Sequence, residues 1–185
     1  MPRLWLILLV AILALVLNVE RIGRHFYPFP YQEIVFRYAF QEDLDPFLLA
    51  AVIKTESNFR ATARSRKGAL GLMQVMPETG RWVAEETGEP PLLPDDLSDP
   101  ETNIRLGTRY LGYLHTQFGD DPVLALAAYN AGRSNVIRWL EQARWTGELA
   151  TLDQIPFPET RRYVRKVLFT QRVYRFLYRD ILHDS

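Results

Sequence analysis

AVIKTESNF, residues 51–59, is the stretch on which the reading of this chain turns, and Glu56 is its key residue. Asp45-Pro46 just upstream has the form of a helix start. Asp accepts a backbone hydrogen bond at the N-cap, and Pro is tolerated at the first helical position because its missing N–H would be unpaired anyway. Counted from there, Leu49, Val52, Ile53 and Glu56 fall on one helical face. A carboxyl therefore ends an apolar stripe, where the negative end of the helix dipole further disfavours a charge. Both effects push its pKa upward, which suits a group that holds and then donates a proton near neutral pH. A solvated surface glutamate is the plainer reading, and position alone does not decide between them.

Working outward, 185 residues predict one domain, and a hydrophobic fraction of 48% is enough to bury a core. Charges balance at 22 against 22, so no global field points to nucleic acid. With no Cys there is neither a zinc-cysteine site nor a disulfide. His25, His115 and His183 are scattered, form no ligand set and are assigned no role. Leu4–Leu17 is an uninterrupted apolar run of 14 residues preceded by Arg3. About 20 residues span a bilayer, and shorter runs are commonly signal-peptide cores. LVLNVERIG offers no convincing small-residue cleavage site. Residues 1–19 are therefore predicted to be an uncleaved, single-pass membrane anchor. A cleaved secretory signal is the alternative.

Residues 20–30 read as a linker, with Pro28 and Pro30 suggesting an extended segment laid onto the domain. Apolar residues at 34, 35, 38 and 39 predict a first helix, and the central helix follows over about 46–57. RATARSRKGALGLMQVMP lacks sustained periodicity and predicts an irregular or β-hairpin insertion with tight turns at Gly68 and Gly71. Pro77 opens another helix. Asp99-Pro100 and Asp121-Pro122 repeat the capping pattern for two more, and Ser134 is placed to cap a further one through Leu140. A second loop covers 145–158, and a last helix runs over about 159–182, with Tyr163, Val164 and Val167 on its apolar side. Its basic side reads as a solvated face. The whole predicts a mainly α fold (α+β in detail), with residues 31–185 forming one catalytic domain.

Taken together, the motifs are specific in order and spacing. They are Glu56-Ser57; Gly71-Leu72-Met73-Gln74 with Pro77; Asn103-Ile104 and Gly107; Ala128-Tyr129-Asn130-Ala131-Gly132; and Pro156 with Glu159-Thr160 and Tyr163-Val164. This string resembles the catalytic domain of the soluble-type lytic transglycosylases, relatives of goose-type lysozyme, over about residues 40–175. The resemblance implies a lysozyme-like fold, cleavage of the peptidoglycan glycan strand, and no cofactor or metal. It also implies that one acid performs both proton transfers. Glu56 would protonate the glycosidic oxygen between N-acetylmuramic acid and N-acetylglucosamine. It would then take the proton of the sugar's own C6 hydroxyl as a 1,6-anhydro ring closes. That activity requires the domain to lie outside the cytoplasm. Where some members carry a large helical N-terminal region, the apolar run and a short linker are expected to stand instead.

Ordinary glycosidases need a second carboxylate, roughly 5–9.5 Å from the first depending on mechanism. Asp95, Asp96 and Asp99 look like turn and cap residues, and Glu159 lies at a helix N-terminus where an anion is stabilised. An intramolecular nucleophile removes the need for a water-activating carboxylate, because it is tethered close by. Ser57 is a candidate partner of the carboxyl or the sugar, with a local cap as its alternative. Gln74 offers a donor and an acceptor for acetamido or hydroxyl groups. Met73 is adaptable apolar lining or core. Tyr129 and Asn130 end a helix at a loop mouth, where the phenol is placed for the acetamido group or the acid. Glu159 binds a substrate hydroxyl or caps its helix. The rivals are a hydrolytic muramidase, in which water competes with the C6 hydroxyl, and a glycan-binding scaffold module that has lost turnover. Nothing in the sequence names a protein partner.

Overall fold

A computed structural model describes residues 2–183. The helices run α1 (Pro2–Leu17), α2 (Val19–Phe26), α3 (Gln32–Gln41), α4 (Pro46–Glu56), α5 (Pro77–Glu86), α6 (Pro100–Gln117), α7 (Pro122–Ala131), α8 (Arg133–Glu141) and α9 (Pro158–Leu177). Short 3-10 turns cover Pro94–Ser98, Leu149–Gln154 and Arg179–His183.

The Asp-Pro pairs open three of these helices as their chemistry requires. The Asp45 carboxylate accepts from the Phe47 N–H at 2.9 Å, that of Asp99 from Thr102 at 2.8 Å, and that of Asp121 from Val123 at 2.7 Å. Each satisfies N–H groups that a helix start leaves unpaired, and each is followed by the proline that lacks one. The apolar character of α4 exceeds a stripe, for every residue from Pro46 to Ile53 is buried. This helix is the axis of the core. The longer α9 packs along it more extensively than any other element, while α3 covers a further side. α6, α7 and α8 continue the core through Ile104, Leu111, Leu126, Ala127 and Val136, all essentially inaccessible.

The insertion after α4 has little β-structure. Among the described residues it holds the antiparallel bridges Arg64–Leu70 and Leu70–Val75 and otherwise turns. The last helix stops earlier than its periodicity suggested. Tyr178, with φ −126° and ψ 22°, leaves helical geometry, and the chain continues as the turn Arg179–His183.

The N-terminal region differs more. Residues 20–26 are helical rather than extended, and only the segment reaching the Pro28/Pro30 pair is open. The reason is tertiary. The guanidinium of Arg24 grips Asp180 at 2.9 and 3.0 Å and donates to the Leu177 carbonyl at 2.8 Å, and Arg179 pairs with Glu20 at 2.9 Å. The Tyr178 and Tyr174 hydroxyls donate to the carbonyls of Tyr27 and Pro28, both at 2.9 Å. Phe29 packs among Phe36, Phe47, Tyr174 and Tyr178. A predicted linker is thus bonded into the domain. α1 presents apolar side chains such as Trp5, Leu9 and Leu17 outward. Its 16 residues rise about 24 Å against a hydrocarbon core of roughly 30 Å. Among the described residues no helix is long and apolar enough to cross a membrane, so the fold does not establish the anchor expected over 1–19.

Candidate active site

Glu56 is the last residue of α4, where the helix meets a cavity of about 410 Å³ lined also by Phe26, Tyr27, Lys54, Arg60, Lys166 and Thr170. Burial raises its pKa from 4.5 to about 7. Tyr163 and the charge of Lys166 oppose that rise, while the neighbouring charge of Glu159 adds to it. The Tyr163 hydroxyl approaches the carboxyl without full hydrogen-bond geometry and is a buried hydroxyl with no other partner among the described residues. The proton on Glu56 is therefore held by removal of water, which disfavours the anion.

Tyr129 is a second phenol near the acid. Its hydroxyl donates to the Met73 carbonyl at 2.8 Å. Burial, first, and the proximity of Glu56, second, push the phenols of Tyr129 and Tyr163 well above their ordinary range. Both are neutral donors beside a carboxyl that titrates near neutrality.

The loop that supplies the Met73 carbonyl is held by Asn103, almost fully buried on α6. Its amide donates to the carbonyls of Leu70 at 2.9 Å and Leu97 at 2.8 Å, and its oxygen accepts from the Met73 N–H at 2.7 Å. Gly71 is required there. It sits at φ +77°, and a Cβ would fall 2.2 Å from the Asn103 amide nitrogen and 2.3 Å from the Leu97 carbonyl oxygen.

The expected site residues divide under this geometry. Glu56 and Tyr129 lie close enough for their charges to interact, and the charge of Glu159, exposed in the first turn of α9, reaches Glu56. Ser57 is 2% exposed and donates to the Ile53 carbonyl at 3.1 Å, so its hydroxyl closes the end of α4. Met73 is not groove lining, because its side chain is wholly buried against Gly107 and Thr108. Gln74, in left-handed backbone at φ +52°, spends its amide N–H groups on the carbonyls of Gly71 at 2.9 Å and Ala63 at 3.1 Å. Asn130 accepts from Thr160 at 2.8 Å, tying the end of α7 to the start of α9. Among the described residues no group of three or more His, Asp or Glu side chains is placed to hold a metal ion.

The sequence profile described as "Transglycosylase SLT domain" matches residues 33–151. The chain belongs to that family. This SLT domain is 37% identical over 156 residues to the soluble lytic murein transglycosylase of Escherichia coli (strain K12), covering 83% of this chain and 24% of the relative. It is 34% identical over 173 residues to the membrane-bound lytic murein transglycosylase C of Edwardsiella ictaluri, covering 78% and 46%. Its fold superposes on the crystal structure of the 70 kDa soluble lytic transglycosylase of E. coli with a TM-score of 0.78 at 36% identity, over 83% of this chain and 25% of that one. The SLT domain thus spans about a quarter of the length of that soluble relative.

Two groups of this chain escaped assignment from the sequence. Tyr163 read as an apolar-face residue, although the Glu159-Thr160, Tyr163-Val164 string already marked its position. Lys166 read as part of the solvated basic side of the last helix, yet it lines the Glu56 cavity.

Proposed function

We propose that this chain is a lytic transglycosylase acting on peptidoglycan. It cleaves the β-1,4 bond between N-acetylmuramic acid and N-acetylglucosamine and leaves a 1,6-anhydromuramic acid end. The observation that carries this reading is the single carboxyl of Glu56, desolvated at a helix end, with its pKa raised to about 7. A group at that value is protonated often enough to act as an acid and becomes a competent base once it has given its proton away.

In the first step Glu56 donates its proton to the glycosidic oxygen as the bond to the anomeric carbon breaks. The substrate's own 2-acetamido oxygen stabilises that carbon. In the second, the Glu56 carboxylate removes the proton of the C6 hydroxyl, whose oxygen closes on the anomeric carbon. No water enters and no second carboxylate is consumed, because the nucleophile is part of the substrate. The Tyr129 phenol and the amide oxygen of Gln74 are the groups we assign to the substrate's acetamido and hydroxyl donors. Ser57, Met73 and Asn130 act indirectly, through the backbone and helix ends they hold.

Digestion of purified sacculi with mass analysis of the fragments tests the reading. Anhydro ends are expected; reducing ends would make the enzyme a hydrolytic muramidase, and intact sacculi would leave a glycan-binding module. We further propose that α1 seats in a membrane with the catalytic domain outside the cytoplasm, on the strength of its outward apolar side chains. Carbonate extraction with N-terminal sequencing of the expressed chain tests this. A protein released by carbonate, or one beginning after residue 19, would favour a secreted form.

A further inference from the structure

The cavity beside Glu56 carries a charge pattern that proton transfer does not require. Among its lining residues are Lys54, Arg60 and Lys166, against Glu56 as the sole carboxyl. Among the described residues the partners of Lys54 are uncharged. Its ammonium donates to the Phe26 carbonyl at 2.9 Å and lies 5.4 Å from the centre of the Tyr27 ring. Burial and the nearby charge of Lys166 both lower its pKa, so the two ammonium groups repel. Arg60 uses its Nε on the Ser57 carbonyl at 3.1 Å, which leaves the end of the guanidinium for other partners. Among the described residues Lys54, Arg60 and Lys166 form no ion pair.

Like charges gathered at one cavity cost free energy unless an anion shares it. A carboxyl that titrates near 7 supplies only part of that compensation. Phe26, Tyr27 and Lys166 lie outside residues 33–151, the part matched by the family profile, so the segments on both sides of that part contribute to this wall.

We propose that this cavity is a subsite for a carboxylate carried by the glycan strand, next to the sugar that Glu56 protonates, with Arg60, Lys54 and Lys166 as its cations. The proposal rests on the transglycosylase reading. Two sources present the same chemistry: the carboxylates of the stem peptide, and the lactyl carboxylate of a muramic acid residue that has lost its peptide.

The test measures kcat/KM of the full chain at low ionic strength on three preparations of strands. One is intact, one has its carboxylates converted to amides, and one is stripped by an amidase so that only lactyl carboxylates remain. Intact strands are expected to be cut roughly tenfold better than amidated ones, the size of one charge-assisted hydrogen bond, with the gap closing as salt rises. Arg60→Ala should shrink that ratio toward one, and Arg60→Lys should restore part of it. Stripped strands cut as well as intact ones assign the subsite to the lactyl group; stripped strands cut as poorly as amidated ones assign it to the peptide. Equal rates on intact and amidated strands, or an Arg60→Ala enzyme with undiminished discrimination, would overturn the subsite and leave the transglycosylase reading standing. Failure to cut any of the three would remove both.

Discussion

Carboxyl groups stand at both ends of the helices in this protein, and the two ends treat them oppositely. At the N-termini of α4, α6 and α7, Asp45, Asp99 and Asp121 accept backbone N–H groups and complement the positive end of the dipole. At the C-terminus of α4, Glu56 has no such backbone donors among the described residues, faces the negative end, and is largely removed from water by burial. One arrangement makes a structural anion and the other a carrier of a proton. Asp45 caps and Glu56 ends the same 11-residue helix, so which end of a helix a carboxyl occupies decides what it does.

The sharpest way to break this contrast is to remove the proton. Glu56→Gln keeps the shape and loses the acid. We expect turnover of sacculi to fall at least ~10²-fold, the low end for loss of a general acid. A variant that digests sacculi like the parent would dissolve the contrast. Wild-type turnover should also fall as pH rises through about 7, because only the protonated form can start the reaction.

The same substitution should act on stability with the opposite sign. The folded chain holds the Glu56 proton up to about 7, whereas the unfolded chain releases it near the ordinary value of 4.5. Between those values the folded state binds more protons than the unfolded, so this group's contribution to stability falls as pH rises and is fully lost above 7. The difference corresponds to about 3 kcal/mol. Glu56→Gln should therefore match wild type near pH 4 in denaturant titrations and exceed it by up to about 3 kcal/mol at about pH 8. Parallel curves across that range would show that burial does not hold the proton.

The N-terminal carboxyls predict a smaller and different loss. Asp121→Ala removes the acceptor for two N–H groups, and should cost about 1 kcal/mol, or roughly 2–4 °C in Tm. Asp45→Ala should cost more, since that carboxylate also pairs with Arg175 at 2.6 Å and accepts from Gln171. Neither should move the pH dependence of turnover. Thermal melts beside pH–rate profiles check both statements.

The helices capped by Asp-Pro were legible because a local rule sets them: one side chain reaching two or three residues along the chain. Glu56 was legible for a related reason, since the i−3, i−4 and i−7 positions name its face before any tertiary contact is known. What escaped the sequence depends on partners far along the chain. α2 is helical because Arg24, Tyr27 and Glu20 are gripped by residues near 178, and the two prolines that follow it suggested only an extended strap. Met73 and Ser57 carry side chains suited to a groove, but core packing and a helix-end bond claim them. Tyr163 approaches the acid from a helix whose pattern spoke only of burial.

The finest test asks whether burial alone sets the acid or whether its neighbours tune it. Tyr163 and Lys166 favour the Glu56 anion, and Glu159 disfavours it. Removing either of the first two should therefore hold the proton on Glu56 to higher pH, and removing the charge of Glu159 should release it earlier. In pH–rate profiles, Tyr163→Phe and Lys166→Met are expected to move the alkaline limb upward, and Glu159→Gln to move it downward. Each shift should be smaller than the one burial produces, because all three act as corrections to it. The pattern of signs is the decisive readout, for a variant that only loosens the fold lowers the rate across the profile and leaves the limb in place. Three unmoved limbs would mean that the end of α4 needs nothing but a dry cavity to make Glu56 an acid.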